Sequence, residues 1–258
     1  MKLSIIMPVY KEEATVCVII EAVLKSLQSI MDLISDYEII IVEDGSQDNT
    51  LQVLKDYTKD KEKIQVFAQP FNMGKGAAIT KGFELSTGDF VLIQDADLEY
   101  DPNEYRVLLQ PIISKGADVV YGSRFKGGDI TRVLYFWHSL GNQFLTFLSN
   151  CFTNLTLSDM ETCYKVFKGP LIRNMILTSK RFGIEPEMTA KISKVKGLSI
   201  YEVPISYYGR TYEEGKKIGW KDGVSALWCI LKFNLFTSYE DSYKLNQKEI
   251  LKLIKDLK

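Results

Sequence analysis

Apolar residues in the first half of the chain come in short runs, each followed by a stretch where they recur every three or four positions. The runs are Leu3–Val9, Tyr37–Glu43, Ile64–Ala68, Phe90–Ile93 and Ala117–Tyr121. Runs of this length, bounded by Gly, Pro or acids, predict buried strands. Helical spacing predicts helices over about Glu12–Met31, from Ser46 as N-cap to about Thr58, from Asn72 to about Leu85, and over Pro102–Ser114. This strand–helix alternation predicts an α/β fold with a parallel sheet and helices on both faces.

The second half has a different pattern. Val133–Ser158 contains no Asp, Glu, Lys or Arg. As a helix it puts Trp137, Leu140, Phe144, Leu148, Cys151 and Leu155 on one face and His138, Asn142, Thr146, Ser149 and Thr153 on another. The polar cluster His138–Gln143 makes it a poor membrane span. Two readings stay open: a helix in a membrane interface, or one buried between the sheet and another element. Met160–Phe167 and Leu198–Ile205 read as strands around a helix near Glu187–Lys194, and Gly209–Gly219 is a basic loop. Trp220–Phe236 is a helix with Trp220, Val224, Leu227, Trp228, Leu231 and Leu235 at helical spacing and lysines nearby, which suits a membrane surface better than the first, with a core-packing helix as the other reading. The end of the chain is amphipathic.

Composition narrows the chemistry. The 258 residues, 46% hydrophobic, suffice for one large domain, and no linker divides them. A formal charge of -1 gives no field for nucleic acid. Four dispersed cysteines form no C-x-x-C pair, which fits a reduced, cytosolic setting. The N-terminus enters a strand directly and is not a signal peptide. The single histidine, His138, nearly excludes Ser-His-Asp and Cys-His catalysis. Carboxylates, Lys/Arg and a metal remain.

Polar residues gather where the strands end: Tyr10 and Glu12 after the first, Asp44 after the second, Asn72-Met73-Gly74-Lys75-Gly76 after the third, and Asp95, Asp97 and Glu99 after the fourth. Strand ends of such a sheet border one crevice. Asp95-Ala96-Asp97 alone reads equally as a solvated turn or as two hard oxygen ligands for Mg²⁺ or Mn²⁺. Four converging strand ends favour the metal. Gly74-Lys75-Gly76 at a helix start offers backbone N–H groups and a cation to an anion, but it is not a Walker A loop.

Pro8-Val9-Tyr10-Lys11-Glu12, Val42-Glu43-Asp44-Gly45-Ser46, Asn72–Gly76 and Gln94–Asp97 resemble the family 2 inverting glycosyltransferases of GT-A fold. Tyr121-Gly122-Ser123-Arg124-Phe125 and Asp159–Phe167 look like the polyprenyl-phosphate branch, which includes dolichol-phosphate mannosyl- and glucosyltransferases. The resemblance implies a single GT-A domain over residues 1–236, with a mostly parallel sheet. It implies acceptor- or membrane-facing helices at about 133–155 and 220–236, and leaves 237–258 as an amphipathic tail. It implies that Pro8, Tyr10, Glu12, Asp44, Lys75 and Asp95, with Arg210 and Lys216, bind the donor. Asp95, Asp97 and Glu99 would hold Mg²⁺ or Mn²⁺. Arg124, and more weakly Arg132, would meet the acceptor phosphate, and Asp97, Asp159 and Arg124 would be catalytic. The chain departs from the family at Lys11, Glu43 and Glu99, where Asn, Asp and often Gln are usual.

The expected reaction moves a hexose from a GDP- or UDP-sugar to a lipid phosphate, which needs no strong base because its second pKa is about 6. A hydroxyl acceptor would need Asp159 or Glu161 as base. The alternatives are a soluble transferase with a saccharide or protein acceptor, a haloacid-dehalogenase-type phosphatase, and a non-catalytic binding protein. The phosphatase leaves three strand-end motifs unexplained. The enzyme is expected at the cytoplasmic face of a membrane, held peripherally or by an anchoring partner.

Overall fold

The computed structural model describes residues 1–127, 132, 133, 135–210 and 220–257, without the side chains of Trp220 and Lys221. The first four strands are β1 (Lys2–Val9), β2 (Asp36–Glu43), β3 (Ile64–Ala68) and β4 (Phe90–Ile93). They alternate with helices α1 (Val16–Ser29), α2 (Thr50–Thr58) and α3 (Lys75–Leu85). After α4 (Tyr105–Lys115) come β5 (Val119–Ser123), α5 (Phe136–Thr153), β6 (Lys165–Lys168) and α6 (Gly169–Arg173). The chain continues through α7 (Ile184–Ser193), β7 (Ile200–Pro204), α8 (Trp220–Leu235) and α9 (Gln247–Lys255).

One seven-stranded sheet runs in the order β3-β2-β1-β4-β6-β5-β7. All neighbours are parallel except β6, which runs antiparallel to both β4 and β5. Leu3, Ser4, Ile5, Ile6 and Met7 are all fully buried. Because successive strand residues point to opposite sides, β1 must be covered on both faces. The apolar runs of β2 and β4 are buried in the same way.

Several boundaries differ from the periodicity, each for a local reason. α1 starts at Val16 because the Glu12 carbonyl turns the chain, accepting from the N–H groups of Thr15 and Val16. α2 starts at Thr50 with Asn49 as N-cap, not Ser46, because the Glu43 carboxylate accepts from Gly45 and Ser46 N–H and prolongs the turn. The expected strand over Met160–Phe167 is confined to Lys165–Lys168, since its ladder pairing with β4 and β5 begins only at Lys165. The end of the chain folds back: α9, opened by a capping box at Asn246 and Glu249, packs on α6.

The largest departure is α5. Its hydroxyl face points inward: Thr146, Ser149 and Thr153 are buried, and Thr146 Oγ1 accepts from Met160 N–H. Its aromatic face points out, with Phe136 68%, Trp137 76% and Phe147 64% exposed. The reading of α5 as a helix buried between sheet and neighbour therefore fails. α8 packs on α5 and α7 and adds exposed Val224, Trp228, Leu235 and Phe236 to the same kind of surface. Among the described residues no helix is long and apolar enough to cross a membrane.

Candidate functional site

The C-terminal end of β4 is fixed from below. Gln94 is fully buried, and its Oε1 accepts from Tyr105 OH at 2.8 Å and Tyr164 OH at 2.7 Å. Beyond it the chain bends instead of continuing extended, and Leu98 takes a left-handed φ of 63°. Asp95 Oδ2 accepts from Lys75 Nζ at 2.7 Å. Asp97 Oδ2 lies 3.2 Å from Arg210 Nη2. Arg210 also reaches Glu12 at 3.4 Å and Glu99 at 3.5 Å. Residues from three strand ends and from the segment after β7 thus meet at one cluster.

Burial, then the charges of Asp95 and Glu99, push the Asp97 carboxyl up to about 7, against the pull of Arg210 and Lys75. Crowded hard oxygens of this kind fit a divalent cation, which relieves their repulsion. The expected ligand triad is not assembled, however. Glu99 Oε2 accepts from Tyr207 OH at 2.7 Å and Oε1 from Arg210 N–H at 2.8 Å, so Glu99 is tied to the segment after β7. Among the described residues no three acidic, His or Cys side chains converge as a metal cage. The donor set that fits an ion is Asp95 and Asp97, completed by substrate oxygens and water, as Mg²⁺ commonly is.

Asp44 is 2% exposed and faces the turn before α3. It accepts from Met73 N–H at 2.7 Å, Gly74 N–H at 2.8 Å and Asn72 Nδ2 at 3.0 Å. Ala77 N–H donates to Lys180 O at 3.1 Å. The N–H groups of Met73, Gly74 and Ala77 thus have protein partners, and the Lys75 ammonium is the group turned to the acidic cluster. Gly74 has φ 99°, and a Cβ there would lie 2.3 Å from Lys180 O, so glycine is required for this approach. Pro8 pairs with Val42 in the β1–β2 ladder, and Tyr10 lines a cleft at the ends of β1, β2 and β3. Lys216 lies outside the described residues.

A second pole lies beyond β5. Arg124 Nε and Nη2 donate to Asp159 Oδ2 and Oδ1 at 2.7 and 2.8 Å. Asp159 is fully buried and accepts also from Arg124 N–H and Asn142 Nδ2. Burial opposes its ionisation, but the guanidinium beside it outweighs burial and holds the carboxyl below the usual range. Nearby Glu161 is pushed up to about 8 by burial and by Glu185, and its buried Oε1 has no partner. Neither acid is a ready base at neutral pH: one is held ionised in a bidentate pair, the other protonated. Asp159 as a general base is therefore at odds with this geometry.

Tyr207 joins the poles. Its hydroxyl reaches Glu99, and its ring lies 5.1 Å from the Arg124 guanidinium and 5.3 Å from the Tyr100 ring. Arg132 donates to Tyr207 O and Gly209 O, bordering the same segment. The sequence reading missed Tyr207 and Tyr100, because single tyrosines in irregular segments carry no periodic signal.

The model of glycosyl transferase family 2 matches residues 4–174. The chain belongs to glycosyl transferase family 2. It is 31% identical over 214 residues to dolichyl-phosphate beta-glucosyltransferase ALG5A of Trichomonas vaginalis, covering 80% of this chain and 65% of that one. It is 30% identical over 223 residues to the low-salt glycan biosynthesis hexosyltransferase Agl6 of Haloferax volcanii, covering 85% of this chain and 51% of that one. With undecaprenyl-phosphate 4-deoxy-4-formamido-L-arabinose transferase of Pectobacterium atrosepticum it shares 29% identity over 179 residues, covering 69% and 52%. The chain thus spans about half to two thirds of the length of these curated relatives. Among solved structures, glucosyl-3-phosphoglycerate synthase of Mycobacterium tuberculosis, in complex with Mn²⁺, UDP and phosphoglyceric acid, superposes with a TM-score of 0.66 at 18% identity, covering 92% of this chain and 80% of that one.

The family 2 match and this likeness make the fold GT-A, with the sheet mostly parallel as expected. The match spans β1–β4, β5, α5 and β6 and ends just past α6. It therefore contains both the Asp95–Asp97 cluster and the Arg124–Asp159 pair, but not Tyr207 or Arg210.

Proposed function

We propose that this family 2 enzyme moves a sugar from a nucleotide-diphosphate donor to a polyprenyl phosphate at a membrane surface, with inversion at the anomeric carbon. The observation that carries this reading is that, among the described residues at the Arg124 pole, Asp159 is held in a bidentate pair and Glu161 is pushed up to about 8, so neither is a ready base. An acceptor that brings its own negative charge, such as a phosphate, needs none. The named activities of the three relatives include a dolichyl-phosphate and an undecaprenyl-phosphate transferase, which supports the same acceptor class. The four cysteines are free among the described residues, which supports the cytoplasmic face.

In this reading an acceptor phosphate oxygen attacks the anomeric carbon as the bond to the donor diphosphate breaks, and its electron pair leaves with the diphosphate. The sugar carbon takes on oxocarbenium character. Lys75 and Arg210 face the leaving diphosphate and offset its growing charge. Mg²⁺ or Mn²⁺ on Asp95 and Asp97 would supply Lewis-acid stabilisation of that charge. The unbonded Nη1 edge of Arg124 orients the acceptor phosphate while Asp159 fixes the guanidinium plane. Glu99 and Tyr207 hold Arg210 over the cluster.

The deciding experiment incubates the enzyme and Mg²⁺ with radiolabelled UDP- and GDP-sugars and a short polyprenyl phosphate. Label extracted into organic solvent is the expected result, and label found only on a saccharide or peptide acceptor would overturn the reading.

The aromatic faces of α5 and α8 form an exposed apolar surface of the kind that marks an interaction site. Rings that bury at a bilayer boundary each add to partitioning. The double replacement Trp137→Glu and Trp228→Glu is expected to reduce co-sedimentation with anionic liposomes at least about ten-fold. Unchanged sedimentation would remove the membrane from the proposal.

A further inference from the structure

Two guanidinium groups beside the site are held in opposite ways. Arg124 meets Asp159 in register, with Nε and Nη2 at 2.7 and 2.8 Å from its oxygens, the length of a charge-assisted bond. Arg210 has no such fit. Its Nη2 lies 3.2 Å from Asp97 Oδ2 and 3.4 Å from Glu12 Oε1, and its Nε lies 3.5 Å from Glu99 Oε1. That Nε is buried and makes no hydrogen bond. One fork is thus spread over three acids and matched to none of them. What is fixed is the backbone beneath it. Arg210 N–H donates to Glu99 Oε1 at 2.8 Å, Tyr208 N–H to Glu99 O at 2.9 Å, and Tyr207 OH to Glu99 Oε2 at 2.7 Å. The main chain is anchored while the side chain is loosely paired.

Lys75 stands in the same relation to the other acid of the pair. Its Nζ donates to Asp95 Oδ2 at 2.7 Å, while the turn before it is pinned by Asp44. The two carboxylates that suit a divalent ion therefore each carry a cation of the protein. A divalent ion needs the same oxygen lone pairs, so it competes with Lys75 and Arg210 for them. The charges balance across an exchange. One divalent ion replaces the two unit charges on the carboxylates, and the two displaced cations match the two negative charges of a sugar-linked diphosphate. A phosphate edge also gives Arg210 the paired oxygens that three separate acids do not.

We propose that Lys75 and Arg210 are exchangeable counter-ions. They cap Asp95 and Asp97 in the resting chain and pass to the donor diphosphate when those carboxylates are given over to a divalent ion. Ion and diphosphate therefore each bind well only in company with the other, and by linkage each tightens the other by the same factor. The inference rests on the nucleotide-sugar reading above and deepens it. Glu99 is a positioning residue in this account. It holds the backbone of Arg210 over the cluster, so that the guanidinium changes partner without leaving the site.

The test titrates the full chain with Mn²⁺ alone, following the paramagnetic resonance signal of the free ion. UDP and GDP are titrated separately by calorimetry, in EDTA and in excess Mg²⁺, so that no turnover is involved. Arg210→Met and Lys75→Met are each expected to bind Mn²⁺ alone at least about ten-fold more tightly than the parent, and nucleotide in EDTA at least about ten-fold more weakly. The opposite signs are the signature, since loss of a merely structural cation would not favour the metal. Lys11→Met removes a charge at the same sheet edge, but its ammonium lies over the Tyr10 ring. It should leave Mn²⁺ affinity within about two-fold. Unchanged or weaker Mn²⁺ binding in an Arg210 or Lys75 variant that melts like the parent overturns the inference, as does equal tightening in Lys11→Met. The parent supplies an arm that needs no variant: Mg²⁺ should tighten its binding of UDP or GDP at least about ten-fold. Nucleotide binding indifferent to Mg²⁺ overturns the inference and spares the donor reading. A parent that binds neither nucleotide with Mg²⁺ overturns both.

Discussion

Replacement of Asp97 by alanine is expected to lower sugar transfer about 10²–10³-fold while leaving the fold intact. Both halves follow from the same crowding. Asp97 lies close enough to Asp95 and Glu99 that, after burial, their charges are what push its carboxyl up to about 7. Removing one acid from such a group relieves repulsion, so the melting temperature should be unchanged or slightly higher. Arg210 keeps Glu12 at 3.4 Å and Glu99 at 3.5 Å, so its anchorage survives. The reaction has no such reserve. In the proposed reaction charge develops on the departing diphosphate, and one of the two carboxylates suited to a divalent ion there is gone. Initial rates of label transfer with and without EDTA, alongside a melting curve, decide the matter. Full activity of Asp97→Ala in EDTA would remove both the metal and this residue from the chemistry.

The parts of this molecule that are legible in its sequence are those set by short-range pattern. The β1, β2 and β4 runs are apolar without alternation because both faces of the sheet are covered there, and each ends where polar residues begin. Strand ends and their acids could therefore be located. What pattern does not encode is which partner a polar group finds at long range. Glu99 looks like a third ligand beside Asp97 until Tyr207 and Arg210, 108 and 111 residues on, take its two oxygens. Asp159 looks like a base until Arg124, 35 residues back, closes a bidentate pair on it. α5 shows the same limit in another form. Periodicity separates its two faces correctly but is silent on which one meets the core. Here the hydroxyls go inward, because Thr146 and Asn142 supply bonds to Met160 and Asp159 that no apolar side chain could make.

Replacement of Glu187 by alanine is expected to cost about 3–5 kcal/mol, lowering the melting temperature by about 10 °C. The carboxylate is fully buried. Oε1 accepts from Thr178 N–H at 2.9 Å, Thr178 Oγ1 at 3.0 Å and Lys191 Nζ at 2.6 Å, and Oε2 accepts from Ser179 N–H at 2.7 Å. Lys191, 1% exposed, is left as a buried cation with the Ile176 carbonyl and the Phe233 ring but no counter-charge bonded to it when the acid is removed. The damage should reach the site, because the loop that Glu187 gathers is the one that closes on α3. Ser179 O and Lys180 O are the atoms against which Gly76 and Gly74 pack, and Lys180 O receives the Ala77 N–H. Loosening that loop frees the first turn of α3 and with it Lys75, so pyrophosphate affinity should fall together with stability. Lys191→Met alone should destabilise comparably by stranding the carboxylate. The double variant Glu187→Ala with Lys191→Met should lose less than the two single losses added, since no uncompensated charge remains. Chemical denaturation of the four proteins measures that coupling. A Glu187→Ala chain that melts within about 2 °C of the parent would mean that the loop is held by its packing alone, and a normal pyrophosphate affinity in a destabilised chain would uncouple the loop from Lys75.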